Sequence, residues 1–513
     1  MRASDALPTD AIVAVIGAGA MGSGIAQVAA QAGHPVRLFD TRVGAAEQAC
    51  RNIIATLDAL AKKGKISADK ARDASGRLSV ANVLADCISA GLVIEAIAED
   101  LDAKRALLRE LEGTVAPEAI LASNTSSLSI TALSAGLQRP KRVVGMHFFN
   151  PAPILPLVEV VSGLATDRKV AEAVYATAAA WGKQPVHALS TPGFIVNRCA
   201  RPFYGEALRL LSERAADPAT IDAVMRDAGG FRMGPFELMD LIGLDVNFAV
   251  TRSVWDAYFH DARYTPSVLQ QELVAAGFLG RKSGRGFFDY GSDAAKPEPS
   301  TLQQQPRPKT IRICGELGPA ATLANRWAAS NIVVERGDRN DALPDGAMSI
   351  NGGWLALTDG RTATQRAMTI GERDLVVFDL ALDYASCSRL AVARADCCSD
   401  SIWNAAVGAL QATGIAVSAF DDVAGLAVMR TVAMLANEAA DAVMQGIATA
   451  NDVDLAMQKG VNYPLGPLAW ADRTGVARVR EVLVHLASHY SEDRYRVSPL
   501  IARRCATGDA LAA

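Results

Sequence analysis

His147 stands in the run His147-Phe148-Phe149-Asn150-Pro151, and Glu159 follows 12 residues later inside Leu157-Val158-Glu159-Val160-Val161. Upstream lies Ser123-Asn124-Thr125-Ser126-Ser127, and downstream Asn197 closes Gly193-Phe194-Ile195-Val196-Asn197. Histidine titrates near neutrality and can take the proton of an alcohol. A carboxylate on its second ring nitrogen would orient the ring and stabilise the imidazolium. Polar groups such as Ser123 and Asn197 would stabilise charge developing on a substrate oxygen. That set suits oxidation of a secondary alcohol, provided a hydride acceptor is held beside it. Each residue also has a plainer reading. His147 can be a histidine packed among aromatics, Glu159 an exposed residue on an edge strand, and Asn197 a helix cap.

The hydride acceptor is suggested by Gly17-Ala18-Gly19-Ala20-Met21-Gly22, a G-x-G-x-x-G run. It follows the apolar stretch Ala11–Ile16 and opens a helical pattern over Ser23–Ala32, the context that gives the pattern meaning. Gly17 permits the tight turn, Gly19 leaves room for a pyrophosphate, and Gly22 lets helix and strand pack closely. The helix N-terminus would face the phosphates, with Ala20 and Met21 of the glycine run as further cofactor-binding candidates. Asp40 ends the next apolar stretch, where a carboxylate accepts hydrogen bonds from ribose hydroxyls and repels a 2′-phosphate. This favours NAD over NADP; Arg42 argues the other way, and FAD shares the fingerprint.

The elements that must position these residues are legible in outline. Ala11–Ile16, Val36–Phe39, Ala90–Ile97 and Arg142–Met146 read as strands of one parallel sheet with helical patterns between them. From Phe194 to about Leu279 the pattern is helical. Gly291–Lys309, rich in Ser, Pro and Gln, reads as a linker. The helical segment then recurs at an offset of 232 residues: Gly193 as Gly425, Arg198 as Arg430, Glu206 as Glu438, Gly234-Pro235 as Gly466-Pro467, Asp240 as Asp472 and Gly243 as Gly475. Between the copies, Ile311–Ala321 echoes the first glycine turn and Asp374–Leu382 reads as a strand. The expected fold is a Rossmann-type α/β domain over 1–191 and an all-α domain over 192–292. A linker with a degenerate Rossmann-like module follows over 293–415, then a second all-α copy over 416–513.

A chain of 513 residues with 50% hydrophobic and 21% charged residues has the composition of a multidomain globular protein. The net charge of −4 gives no reason to expect nucleic acid. No apolar run is long enough to suggest a membrane span, and the N-terminus has no signal-peptide core. The eight cysteines are scattered without a CxxC pair. They are expected to be reduced, in a cytoplasmic, metal-free protein.

These residues resemble the 3-hydroxyacyl-CoA dehydrogenases. The resemblance runs through VIGAGAMGSGIA, VIEAIAEDLDAK, SNTSSLSI, GMHFFNPAPILPLVEVV, TPGFIVNR, GPFELMDLIGLD and GRKSGRGFFDY, from Val15 to Tyr290. The second copy, with NYPLGPLAWADRTG and RYRVSPL, is similar to the long bacterial members, which include 3-hydroxyadipyl-CoA dehydrogenases of phenylacetate degradation. The resemblance implies His147 as catalytic base, Glu159 as its acidic partner, and Ser123 and Asn197 as hydrogen-bond partners of the substrate. It implies Glu95, Lys104 and Asn124 beside the cofactor. It also implies Lys62, Lys63 and Lys65 near CoA, where cations suit a phosphorylated nucleotide. The substrate would be a 3-hydroxyacyl-CoA, with the 3-hydroxyadipyl or 3-hydroxybutyryl ester open and the cofactor NAD. In relatives the helical domain makes the dimer contact, so a homodimer is open, as is packing of the second copy on the first.

At the offset of 232, Asn197 becomes Met429, and no second HFFNP occurs. The second half is therefore expected to lack an active site. Two other readings stand beside this one: a β-hydroxyacid dehydrogenase acting on a free acid, which would use a catalytic lysine, and a non-enzymatic relative.

Overall fold

Strands apolar along their whole length need cover on both faces, which a parallel sheet flanked by helices supplies. The runs read above do this. The computed structural model describes residues 6–295, 297–337, 343 and 346–512. In it β1 (Ile12–Ile16), β2 (Val36–Phe39), β3 (Leu78–Val80), β4 (Ala90–Glu95), β5 (Ile120–Ser123), β6 (Val143–Phe148), β7 (Leu157–Ser162) and β8 (Gln184–Leu189) form one sheet. Its order is β3-β2-β1-β4-β5-β6-β7-β8. Neighbours run parallel except β6 and β7. Val13, Val15, Ile94 and Val144 pack with Ile25, Ala29, Ile53 and Leu57 of helices Ala20–Gln31 and Ala45–Lys62 into its core.

A second sheet, among the described residues, has the order β10-β9-β11-β12-β13-β14-β15. Its strands are β9 (Thr310–Cys314), β10 (Val333–Gly337), β11 (Ala347–Ile350), β12 (Gly353–Leu357), β13 (Leu375–Phe378), β14 (Arg389–Arg394) and β15 (Ala416–Ala419). It repeats the antiparallel step, now between β13 and β14, but β11 runs antiparallel to both β9 and β12. After β9 the glycine turn leads to a short 3-10 turn, Gly318–Ala320, and the helix Leu323–Ala329 has seven residues against twelve after β1. This is the degenerate nucleotide-binding fold.

The stretch read as a linker is fastened instead. Ser300 N donates to Thr220 Oγ1 at 2.8 Å, Leu302 N to Val417 O at 2.8 Å, and Gln411 Nε2 to Leu302 O at 3.0 Å. The stretch makes these bonds through its backbone, which its composition does not reveal.

The chain divides into two compact units. One comprises the chain up to Arg198 together with Gln445–Val461; the other comprises Cys199–Met444 with Asn462–Ala513. In the first, helix Ala450–Gly460 packs on β7 and β8. Leu189 N donates to Ile447 O at 2.9 Å, and Arg198 Nη1 to Gln445 Oε1 at 2.8 Å. In the second, helix Pro218–Asp227 packs on β14. Asp421 N donates to Ala215 O at 2.9 Å, and Arg430 Nη1 to Glu213 Oε2 at 2.9 Å. Every residue in one set lies 232 positions from its counterpart in the other. Each sheet is thus completed by a segment of the helical copy that does not follow it in sequence.

The same reciprocity holds inside the second unit. Tyr264 and Arg263 donate to Glu438 at 2.6 and 3.2 Å. Tyr495 donates to Glu206 at 2.8 Å, with Arg494 3.7 Å away. Both glutamates are fully buried, and such charges persist only when paired and hydrogen-bonded.

Six of the eight cysteines are buried. Among the described residues no helix is long and apolar enough to cross a membrane, and no His, Cys, Asp and Glu cluster could hold a metal.

Candidate active site

The antiparallel step in the first sheet sets the central pair. His147 on β6 lies directly opposite Glu159 on β7. Side chains directly opposite on one face of a sheet are neighbours, and His147 Nδ1 meets Glu159 Oε2 at 2.7 Å. The other oxygen, Glu159 Oε1, accepts from Ile195 N at 3.0 Å and Val196 N at 2.9 Å. Glu159 is fully buried, which rules out the exposed-edge reading. The His147 ring lies 4.5 Å from Phe149 and 5.9 Å from Phe194, centroid to centroid. With Nδ1 engaged by the carboxylate, Nε2 is the nitrogen left to exchange a proton.

Asn197 follows the two amides that bind Glu159, and its Nδ2 donates to Ser126 O at 3.4 Å. That bond brings Asn197 to the Ser123–Ser127 loop. Asn124 Oδ1 accepts from Phe148 N at 2.9 Å, tying the loop to the strand that carries His147.

Ser123, Glu95 and Lys104 lie together beneath this loop. Ser123 Oγ donates to Glu95 Oε2 at 2.5 Å, and Lys104 Nζ donates to Glu95 Oε1 at 2.6 Å. All three are buried, and they offer no surface to substrate or cofactor in this structure. They form a polar post beneath the loop, with Thr125 N donating to Ser123 Oγ at 3.2 Å. The carboxylate that reaches the surface here is Glu99, four residues further on and 36% exposed. It accepts from Thr125 Oγ1 at 2.6 Å, Ser126 N at 3.0 Å and Ser127 N at 3.1 Å, with Lys104 at 3.3 Å. Burial alone would raise its pKa, but the Thr125 hydroxyl, Lys104 and the Ser126 amide together bring it below the usual range. Its position just past the end of β4, where ligands of such sheets bind, was the signal available in the sequence.

The glycine loop borders a cleft of about 920 Å³, lined by Gly17, Gly19, Phe39, Asp40, Ala96 and Ile97 among others. A Cβ on Gly17 would lie 2.5 Å from Ala96 O, and one on Gly22 would lie 1.8 Å from Gly17 O. A Cβ on Gly19 would meet nothing within 4 Å, so bare backbone faces open space there. Helix Ala20–Gln31 has no side-chain cap and no acidic residue in its first turn. Its first N–H groups therefore suit a pyrophosphate, and the residues present fit a dinucleotide.

Asp40 sits at the far end of this cleft. Its carboxylate accepts from Ala18 N at 2.7 Å and from Arg42 Nε and Nη2, both at 3.0 Å. The Arg42 guanidinium holds Asp40 down to about 2. The Arg42 side chain is 70% exposed and free to swing away from a ribose. Lys62 closes helix Ala45–Lys62, and Lys63 and Lys65 follow it, all three exposed.

A Rossmann sheet, a dinucleotide cleft and a buried histidine–carboxylate pair define a nicotinamide-dependent dehydrogenase. Comparison with known proteins narrows this. Residues 12–191 match the NAD-binding domain of 3-hydroxyacyl-CoA dehydrogenase, and residues 193–290 and 425–511 both match its C-terminal domain. Residues 355–423 match the reduced Rossmann-fold domain of 3-hydroxybutyryl-CoA dehydrogenase. The chain is 43% identical, over 96% of its length and 97% of the relative, to 3-hydroxyadipyl-CoA dehydrogenase of Escherichia coli K12. It is 44% identical to a probable 3-hydroxybutyryl-CoA dehydrogenase of Bacillus subtilis, over 54% of this chain and 96% of that one. A crystal structure described as 3-hydroxybutyryl-CoA dehydrogenase from E. coli K12 superposes with a TM-score of 0.88 at 41% identity, covering 98% of this chain and 99% of that one. The chain belongs to the 3-hydroxyacyl-CoA dehydrogenase family and is an NAD-dependent enzyme of that family.

Proposed function

We propose that His147 is the base that takes the proton of the 3-hydroxyl of an (S)-3-hydroxyacyl-CoA, at one site in the first half of the chain. The observation that carries this is the His147–Glu159 pair facing each other across β6 and β7. NAD, when bound, supplies the hydride acceptor. Glu159 fixes the ring through Nδ1, so that Nε2 meets the hydroxyl, and its charge stabilises the imidazolium formed. Asn197 donates toward the substrate oxygen as charge develops there. Ser123, Glu95 and Lys104 hold the loop that carries Asn124 and Ser126, and Glu99 accepts hydrogen bonds from the same loop.

Lys62, Lys63 and Lys65, all exposed cations, would meet the phosphates of CoA. Binding energy from so remote a part of the substrate can be used to position the reacting carbon. A 3-hydroxyadipyl group is the acyl chain favoured, supported by full-length similarity to a relative named for that ester.

Loss of NADH absorbance with acetoacetyl-CoA tests the reaction class, and comparison of adipyl and butyryl 3-oxo esters tests the acyl chain. Turnover of the thioesters but not of free 3-oxo acids is expected. Turnover of free acids at equal kcat/KM contradicts the thioester reading, and equal turnover of the two esters contradicts the narrower one.

A further inference from the structure

We propose that Gly460, in the second helical copy, is a positioning residue for the His147–Glu159 pair. This rests on the reading of that pair as the catalytic dyad. Helix Ala450–Gly460 packs on β7 and β8, and Gly460 is its last residue. A Cβ on Gly460 would lie 2.6 Å from Leu157 Cδ2, 3.1 Å from Val196 Cγ2 and 3.7 Å from Phe149 Cε1.

Each of those three residues is one step from the dyad. Leu157 lies two residues before Glu159 on β7, on the same face of the strand. Val196 donates its backbone N–H to Glu159 Oε1 at 2.9 Å. Phe149 lies 4.5 Å from the His147 ring. A methyl at 460 therefore meets the side chains of Leu157 and Val196, which displace towards the strand and the amide that hold Glu159, while a larger side chain also presses on Phe149, the ring that packs against His147.

The duplication supplies an internal comparison. The residue 232 positions earlier is Ala228, whose copy packs on the other sheet, where no histidine stands. A methyl is accommodated there. Glycine stands only where the helix packs on the sheet that carries the dyad. The second half of the chain thus contributes to catalysis by packing on the dyad's supports.

The test uses the full-length protein and four variants: Gly460→Ala, Gly460→Val, Gly460→Ala with Leu157→Val, and Ala228→Val. Two readouts are taken: kcat against KM for NADH in acetoacetyl-CoA reduction, and the downfield proton resonance of the His147 ring N–H, assigned by its loss in His147→Ala. Gly460→Val should lower kcat roughly 10- to 100-fold, the scale of a misplacement near 1 Å, with KM for NADH within about threefold of wild type, and should shift or erase the resonance. Gly460→Ala should fall between, and Leu157→Val should restore part of its kcat. Ala228→Val should leave both readouts near wild type. An unchanged kcat and resonance in Gly460→Val, or an equal fall in Ala228→Val, overturns the proposal. If Gly460→Val does not fold, an unshifted resonance in Gly460→Ala overturns it. Should wild type not turn over acetoacetyl-CoA, the reading of the reaction fails and the resonance alone decides the positioning.

Discussion

Asp40 has two tasks that compete. Its oxygens are taken by the Ala18 amide and by the Arg42 guanidinium, yet a ribose needs the same acceptor atoms. Ion pairs of exposed arginines contribute little to stability, at most about 1 kcal/mol, so a ribose can displace Arg42 at small cost. A 2′-phosphate would instead meet the carboxylate. Asp40→Ala should therefore change cofactor choice: the ratio of kcat/KM for NADH over NADPH should fall at least roughly tenfold, about 1.4 kcal/mol, because Arg42 is freed to meet the phosphate. Steady-state kinetics with both cofactors check this, and an unchanged ratio would mean that Asp40 does not read the ribose. Single residues were unevenly legible. Gly17 and Gly19 were legible from the glycine pattern after a strand, and Asp40 from its carboxylate at the end of the next strand. For Ser123, Glu95 and Lys104 the hydrogen-bonded network they form was not legible, because their types suit a buried network as well as a site and no spacing joins them. Glu99 was missed because one carboxylate near a strand end carries no spacing to a partner.

One step between two strands accounts for both the site and its loss. In the first sheet the antiparallel step sets His147 against Glu159. At the offset of 232 these positions are Asp379 and Ala391, and Asp379 N donates to Ala391 O at 3.0 Å, so the two still face each other. Asp379 takes over what Glu159 does elsewhere: it accepts from Ala427, Val428 and Met429 amides at 2.9, 2.7 and 2.9 Å, and from its neighbour Leu380 at 2.8 Å. Burial pushes the Asp379 carboxyl up to about 6. A carboxyl whose folded pKa is raised holds its proton more tightly when folded, so its stabilising contribution is present below about 4 and lost as the pH rises to about 6. A shift of that size is worth on the order of 3 kcal/mol. Relative to Asp379→Asn, wild type should lose that much stability between those limits, as followed by urea unfolding at several pH values. A difference that stays constant with pH would contradict it. Periodicity revealed β13 and the repeat from residue types alone. It could not reveal the antiparallel step, because an apolar strand reads the same in either direction.

At the scale of the molecule, the repeat was visible as matching residues, but its consequence was not. Sequence order assigns each helical copy to the sheet before it. The reciprocal bonds Leu189 to Ile447 and Asp421 to Ala215 show that each sheet takes a segment from the other copy. Contacts in which residue i meets j and j meets i are those of a two-fold dimer interface, here written into one chain by duplication. The two halves then diverged. One keeps His147, Glu159 and Asn197, and the other has Asp379, Ala391 and Met429 in their places. A thioether cannot donate a hydrogen bond to a substrate oxygen, and Asp379 is fully committed to backbone amides. The proposed enzyme therefore has one catalytic site per chain, centred on His147. The most direct test is the His147→Ala variant of the full chain, with NADH titration and acetoacetyl-CoA turnover measured on the same sample. The account predicts one NADH per chain, bound within a few-fold of wild-type affinity, and a kcat lower by roughly 10²–10⁴. Two equivalent NADH sites per chain, or turnover close to that of wild type, would contradict it.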